Sequence, residues 1–165
     1  MTIDEVVALV VEVFPATETA LRGFEQRINF QLPTDYRSFL SRSNGGQFSE
    51  ALELRWPSPG YVGGEATAYI DRLFAIEGDP DWTAIRAMQD VLSDIEHPMS
   101  GVPDDLFAVG DDGCGNFLTM RLGGAFGGEI GFMDHETMGD AFTDPETYEP
   151  IARSFGHLVS MLKAV

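Results

Sequence analysis

An α+β fold is what this sequence predicts, and three observations carry it. Apolar residues recur at helical spacing near both ends of the chain and in one central stretch. Between these stretches, short segments alternate apolar and polar residues and are separated by Gly- and Pro-rich breaks. No internal repeat, low-complexity tract or linker-like composition divides the chain, so helices and strands have to share a core. The 165 residues suit one domain spanning 1–165, and 44% hydrophobic residues, 12 Phe among them, supply its interior. A chain of this length buries roughly 70% of its unfolded surface, so no disulfide or metal staple is required.

Taken in order, the first helix is signalled by Thr2-Ile3-Asp4-Glu5, a capping box with Thr2 as cap and Glu5 reaching back. Ile3, Val6, Val7, Val10 and Phe14 follow at helical spacing, and Pro15 stops the run. Asp4 and Glu5 fall in the first turn, where the helix dipole favours acids. A second helix is expected over residues 17–28, burying Leu21, Phe24 and Ile28. The third opens at Pro33, whose missing N–H is no loss at a first helical position. Tyr36, Phe39 and Leu40 make its inner face, and Asn44-Gly45-Gly46 supplies the left-handed geometry that ends it.

Strands follow. Residues 51–56 alternate and are broken by Pro57-Ser58-Pro59-Gly60. Residues 71–76 form a further strand. A central helix is expected over 81–96, capped by Asp81, with Trp82, Ile85, Met88, Leu92 and Ile95 inward and His97-Pro98 closing it. Residues 106–109 are short and apolar, Asp111-Asp112-Gly113 is a turn, and 117–122 alternate. Gly123 to Gly128 reads as a hairpin connection into a strand over 129–133. The acidic stretch 134–149 reads as a loop, and Ile151, Phe155, Leu158 and Leu162 mark a C-terminal amphipathic helix.

Charge is the strongest compositional signal. There are 27 acids against 10 bases, a net charge of −17, and residues 103–150 hold 11 acids against the single base Arg121. Phosphate backbones need Lys and Arg, so nucleic acid is excluded as a partner and a basic macromolecule is favoured. The plainer account is the acidity of an ordinary cytoplasmic proteome. The single cysteine, Cys114, permits no intrachain disulfide and fits a reducing compartment. Asp4 and Glu5 stand where a signal peptide would carry Lys or Arg, and no apolar run approaches the roughly 20 residues of a membrane span. A cytoplasmic protein without membrane contact is the expectation.

Few residues suggest chemistry. Asp134-His135-Glu136 has the residue types of a metal or acid–base site, with Asp111 and Asp112 as partners across the sheet. Consecutive strand residues point to opposite faces, however, so the three converge only if a turn intervenes. A solvated acidic loop is the plainer account. Cys114 lies in a Gly-rich turn without a base nearby and reads as a small, semi-buried residue. Gly123 to Gly128 lacks the GKS/T or GxGxxG pattern of a phosphate cradle, and no cofactor is implied. Trp56, Tyr61 and Tyr69 surround the Pro/Gly break, either as core or as the exposed aromatics that anchor interfaces.

Three segments, in this order, carry a resemblance. Leu32-Pro33, Tyr36, Phe39-Leu40 and Asn44-Gly45-Gly46 form the first; Phe107 to Asp111 with Gly115-Asn116-Phe117 the second; Gly128 to Phe132 followed by Asp134-His135-Glu136 the third. Together they resemble the SUKH superfamily of SMI/KNR-like immunity proteins over about residues 24–136. Cys114 departs from the small residue expected there, and residues 56–76 match poorly, which leaves room for specificity. The resemblance implies a twisted, mainly antiparallel sheet packed with N-terminal, central and C-terminal helices. It also implies a non-enzymatic protein that binds and neutralises a cognate bacterial toxin, a nuclease or deaminase in many relatives. The acidic surface would face a basic cleft of that toxin. Partner-binding candidates are Trp56, Tyr61, Asp111, Asp112, Asn116, Asp134, His135 and Glu136, with no catalytic or metal residue. A regulatory scaffold, as fungal relatives resemble, is the alternative. A metal-dependent hydrolase using Asp111, Asp134, His135 and Glu136 is a third.

Overall fold

The computed structural model describes residues 1–12, 14–77, 84–93, 99–137, 142 and 147–165. Its helices are α1 (Ile3–Ala8), α2 (Glu18–Ile28), α3 (Thr34–Leu40), α4 (Met88–Leu92) and α5 (Phe155–Met161). Its strands are β1 (Gly46–Pro57), β2 (Glu65–Leu73), β3 (Arg86–Ala87), β4 (Leu106–Asp111), β5 (Phe117–Arg121), β6 (Ile130–Met133), β7 (Tyr148–Ala152) and β8 (Lys163–Ala164). The strands form one curled antiparallel sheet in the order β7-β6-β5-β4-β2-β1-β8, with β3 also beside β4. The α+β class, the antiparallel sheet and the helices at both ends and in the centre are therefore as the sequence predicts.

Local chemistry sets the helix starts. Thr2 accepts from the Glu5 amide at 3.3 Å while the Glu5 carboxylate accepts from the Thr2 amide at 2.6 Å. Thr17 caps α2 by accepting from the Ala20 amide at 3.1 Å. Pro33 sits one position earlier than expected, as the cap of α3, and Tyr36, Phe39 and Leu40 are all buried. The Phe155 ring of α5 meets Tyr36 at 4.8 Å and Phe39 at 5.1 Å, which locks the two helices together.

Four expectations are corrected. First, α1 stops at Ala8, because Val10 bridges to Phe48 and the Val11 amide donates to the Gln47 carbonyl at 3.0 Å; Phe14 is left 68% exposed. Second, β2 begins at Glu65 and not at 71. Third, the helix expected over 81–96 is only Met88–Leu92: Arg86 and Ala87 are claimed by the ladder to β4, and the Ile85 amide donates to the Ala75 carbonyl at 2.8 Å. Asp81, Trp82, Ile95 and His97-Pro98 lie outside the described residues. Fourth, Tyr148 to Ala152 is a strand beside β6, so Ile151 is not helical and α5 starts after the Ser154 cap. Pro150 is tolerated there because β7 ends the sheet, where a missing N–H interrupts nothing.

The sheet is not uniform. Every residue of β4 and β6 is buried, whereas β1 and β2 alternate and leave one face to solvent. Among the described residues, β2 pairs with β4 only at Arg72–Asp111 and Leu73–Gly110. Beyond those pairs the long β1–β2 hairpin departs from the rest of the sheet, and the gap it leaves is the setting of the site.

A groove between the β1–β2 hairpin and two tied turns

One wall of the gap is made by turns that the sequence builds from Asp, Asn and Gly. After Asp111 the chain reverses within five residues, with Gly113 at φ 72° and Gly115 at φ 109°, dihedrals that glycine adopts without a Cβ clash. Asp112 holds the reversal: Oδ1 accepts from the amides of Cys114 (2.8 Å) and Asn116 (3.1 Å), and Oδ2 accepts from Asn116 Nδ2 at 2.6 Å. That last bond orients the Asn116 amide, whose Oδ1 accepts from the His135 amide at 2.9 Å and stands 2.8 Å from His135 Nδ1. The β4–β5 turn and the residues after β6 are thereby tied together. Asp134 makes a second such turn, its Oδ1 accepting from the Glu136 amide at 2.9 Å. The intervening turn is what gathers Asp134, His135 and Glu136 on one side.

The opposite wall is Thr67, Ala68 and Tyr69 of β2, and the two walls enclose a groove of about 300 Å³. Its floor is aromatic: the Trp56 and Phe132 rings meet at 5.0 Å, and Trp56 Nε1 donates to Glu149 Oε2 at 2.8 Å. Tyr61, from the hairpin loop, closes one end by donating its hydroxyl to Asp134 Oδ2 at 3.1 Å. Burial, and then the Asp134 carboxylate, push the Tyr61 hydroxyl above its ordinary pKa, so it stays a donor. Asp112, Asp134 and Glu136 supply the rim, and among the described residues no Lys or Arg lines the groove. Asp112 and Asp134 spend lone pairs on their turns, while the Glu136 carboxylate meets no partner among the described residues. Such a site can hold a cation, or a basic side chain with an aliphatic stem, by carboxylate and aromatic-face attraction.

Seven of the eight candidate residues line this groove. Asp111 does not. It is buried, accepts from Arg72 Nε at 2.9 Å and from the Gly113 amide at 3.0 Å, and joins β2 to β4. Burial raises its carboxyl pKa, and the Arg72 guanidinium opposes that shift. Trp56 is floor and not an exposed anchor, at 3% exposure, whereas Tyr61 and Tyr69 are about half exposed. Cys114 is exposed, contrary to its semi-buried expectation, because the turn carries it past the end of the sheet. Of the four residues of the hydrolase alternative, Asp111 stands apart from the groove that Asp134, His135 and Glu136 line, and among the described residues no three His, Cys, Asp or Glu side chains are grouped to hold a metal. No helix among them is long and apolar enough to cross a membrane. Sequence reasoning missed Thr67, Ala68, Phe132 and Glu149; the alternation of residues 65–70 was the available signal.

Comparison with known proteins adds one match. A family model described as the SMI1 / KNR4 family (SUKH-1) matches residues 15–161. No curated protein matches the chain.

Proposed function

The chain belongs to the SMI1/KNR4 (SUKH-1) family, known for immunity proteins against polymorphic toxins, and from that premise we propose that it binds and neutralises a cognate basic toxin through the acid-rimmed groove. The observation that carries this reading is the lining itself: three carboxylates, an aromatic floor and, among the described residues, no Lys or Arg. A net charge of −17 draws a basic partner in over a long range, and the groove then selects register and orientation. No reaction is assigned. Neutralisation requires only that an acidic face cover a cleft that would otherwise hold substrate.

The test is co-expression with the toxin encoded beside this chain. The wild-type chain is expected to restore growth. The double variant Asp134→Lys/Glu136→Lys, which reverses the rim, is expected to fold and to associate with the toxin at least about tenfold more slowly. Unchanged rescue by that variant would place the docking face elsewhere, and no rescue by the wild type would remove the immunity reading.

A further inference from the structure

The hairpin that walls the groove has an edge that nothing described occupies. The Ser58 amide donates to the Gly64 carbonyl at 3.0 Å. Bonded pairs recur at every second residue of an antiparallel ladder, so Trp56–Ala66, Leu54–Ala68 and Leu52–Ile70 are the bonded pairs of the hairpin. Pro57, opposite Glu65, falls on a position where that ladder needs no N–H. Glu65, Thr67 and Tyr69 therefore turn their N–H and C=O groups away from β1. After Ile70 the burial pattern slips by one residue, and from Arg72 onward the same edge is taken up by β4. At Glu65, Thr67 and Tyr69 no described strand takes it up, since β4 has given way to the turn at 112–116.

Unpaired strand edges of this length are normally short, charged or covered, because they invite another strand. This one opens onto the groove. The inner side of an incoming strand would meet Ala68, whose small side chain lines the groove together with Trp56 and Phe132. The far wall presents Asp112, Asp134 and Glu136, and β2 spans about 14 Å from Glu65 to Tyr69 at ~3.4 Å per residue. Charge decides the occupant. A second copy of this chain would bring two sets of the same carboxylates together, whereas a basic segment would neutralise one.

Resting on the toxin-binding reading above, we propose that the partner docks by strand addition: an extended basic segment pairs with the free edge of β2 at Glu65, Thr67 and Tyr69 and lowers one Arg or Lys side chain into the groove. Main-chain bonds would then supply affinity, and the acidic aromatic pocket would supply the choice of side chain. The poorly matched segment 56–76 would thus be where specificity is set.

The probe is the peptide acetyl-Thr-Val-Arg-Val-Thr-amide, titrated into the full chain and followed by amide NMR and hydrogen exchange. Exchange of the Thr67 and Tyr69 amides is expected to slow by about tenfold or more at saturation. Citrulline in place of the arginine is expected to weaken binding about tenfold, and a peptide N-methylated at alternate residues is expected not to bind. Thr67→Pro removes an edge N–H that the hairpin ladder does not use, so it is expected to fold and to lose the peptide. Should it unfold, the N-methylated peptide carries the test alone. Absence of peptide binding, binding indifferent to N-methylation, or a wild-type dimer broken by Thr67→Pro would each overturn the proposal. If Thr67→Pro folds and still rescues cells from the toxin, strand addition fails while the immunity reading stands. If the peptide binds the edge but the wild-type chain gives no rescue, the reverse holds.

Discussion

At the residue scale, two buried tyrosine hydroxyls, those of Tyr36 and Tyr148, have no hydrogen-bond partner among the described residues, and Tyr36 is the more deeply buried. The Tyr36 side chain is wholly buried between Phe39 and Phe155, and its hydroxyl has no hydrogen-bond partner among the described residues. Burial drives its pKa up, so the group stays protonated and carries only a desolvation cost. Tyr36→Phe removes the oxygen and keeps the ring, and it is expected to hold stability or raise it by about 1 kcal/mol in urea unfolding. A loss would mean that the hydroxyl has a partner in solution. The same scale shows how far individual site residues are legible. Asp112, Asn116 and the 134–136 triplet stand out because Asp and Asn beside Gly announce turns, and turns are what bring them to the groove. Asp111 misleads because strand neighbours face opposite ways, and only the register opposite Arg72 reveals its pairing.

At the element scale, the strongest constraint is the junction of α3 with β1. Gly45 has φ 69°, and a Cβ there would lie 2.6 Å from the Leu73 carbonyl oxygen and the Phe74 backbone. Gly45→Ala adds left-handed strain of about 1 kcal/mol to a backbone clash, for an expected loss of about 3 kcal/mol. Gly23, in the middle of α2, meets nothing within 4 Å, so Gly23→Ala is expected to gain up to about 1 kcal/mol. Thermal and urea unfolding of the pair would separate a glycine required by geometry from one merely tolerated. Elements were legible wherever a local signal coincides with tertiary demand, as in α2, α3 and the β4–β5–β6 ladder. They were not where the sheet recruits a segment against its pattern. Arg86-Ala87 lies inside a helical apolar period yet joins β4, and Tyr148 to Ala152 lies in an acidic, Pro-bearing stretch yet closes the sheet. Residues 65–70 do alternate, but their buried set includes Ala66 and Ala68, whose small area gives a weak periodic signal.

At the scale of the whole molecule, charge acts in two opposed ways. Among the described residues, six arginines pair with acids, yet 27 acids against 10 bases leave a net charge of −17. Several of those pairs are exposed: Arg22 with Glu18, Arg42 with Asp4 and Arg55 with Glu65 are each about half exposed or more at both side chains. Such pairs contribute little and salt weakens them further. Self-repulsion extends over the whole surface, and screening it favours the compact state. Repulsion is the larger of the two, so raising NaCl from about 20 mM to about 500 mM is expected to raise the melting temperature by several degrees. The same salt removes the attraction that steers a basic partner, so association with the toxin is expected to slow by about tenfold or more across that range. The two slopes are expected to have opposite signs, because on the proposed reading one charge distribution opposes folding and promotes docking. A melting temperature that falls with salt would mean that ion pairs outweigh repulsion in this fold. An association rate indifferent to salt would remove the acidic face as the docking surface, whatever the stability does.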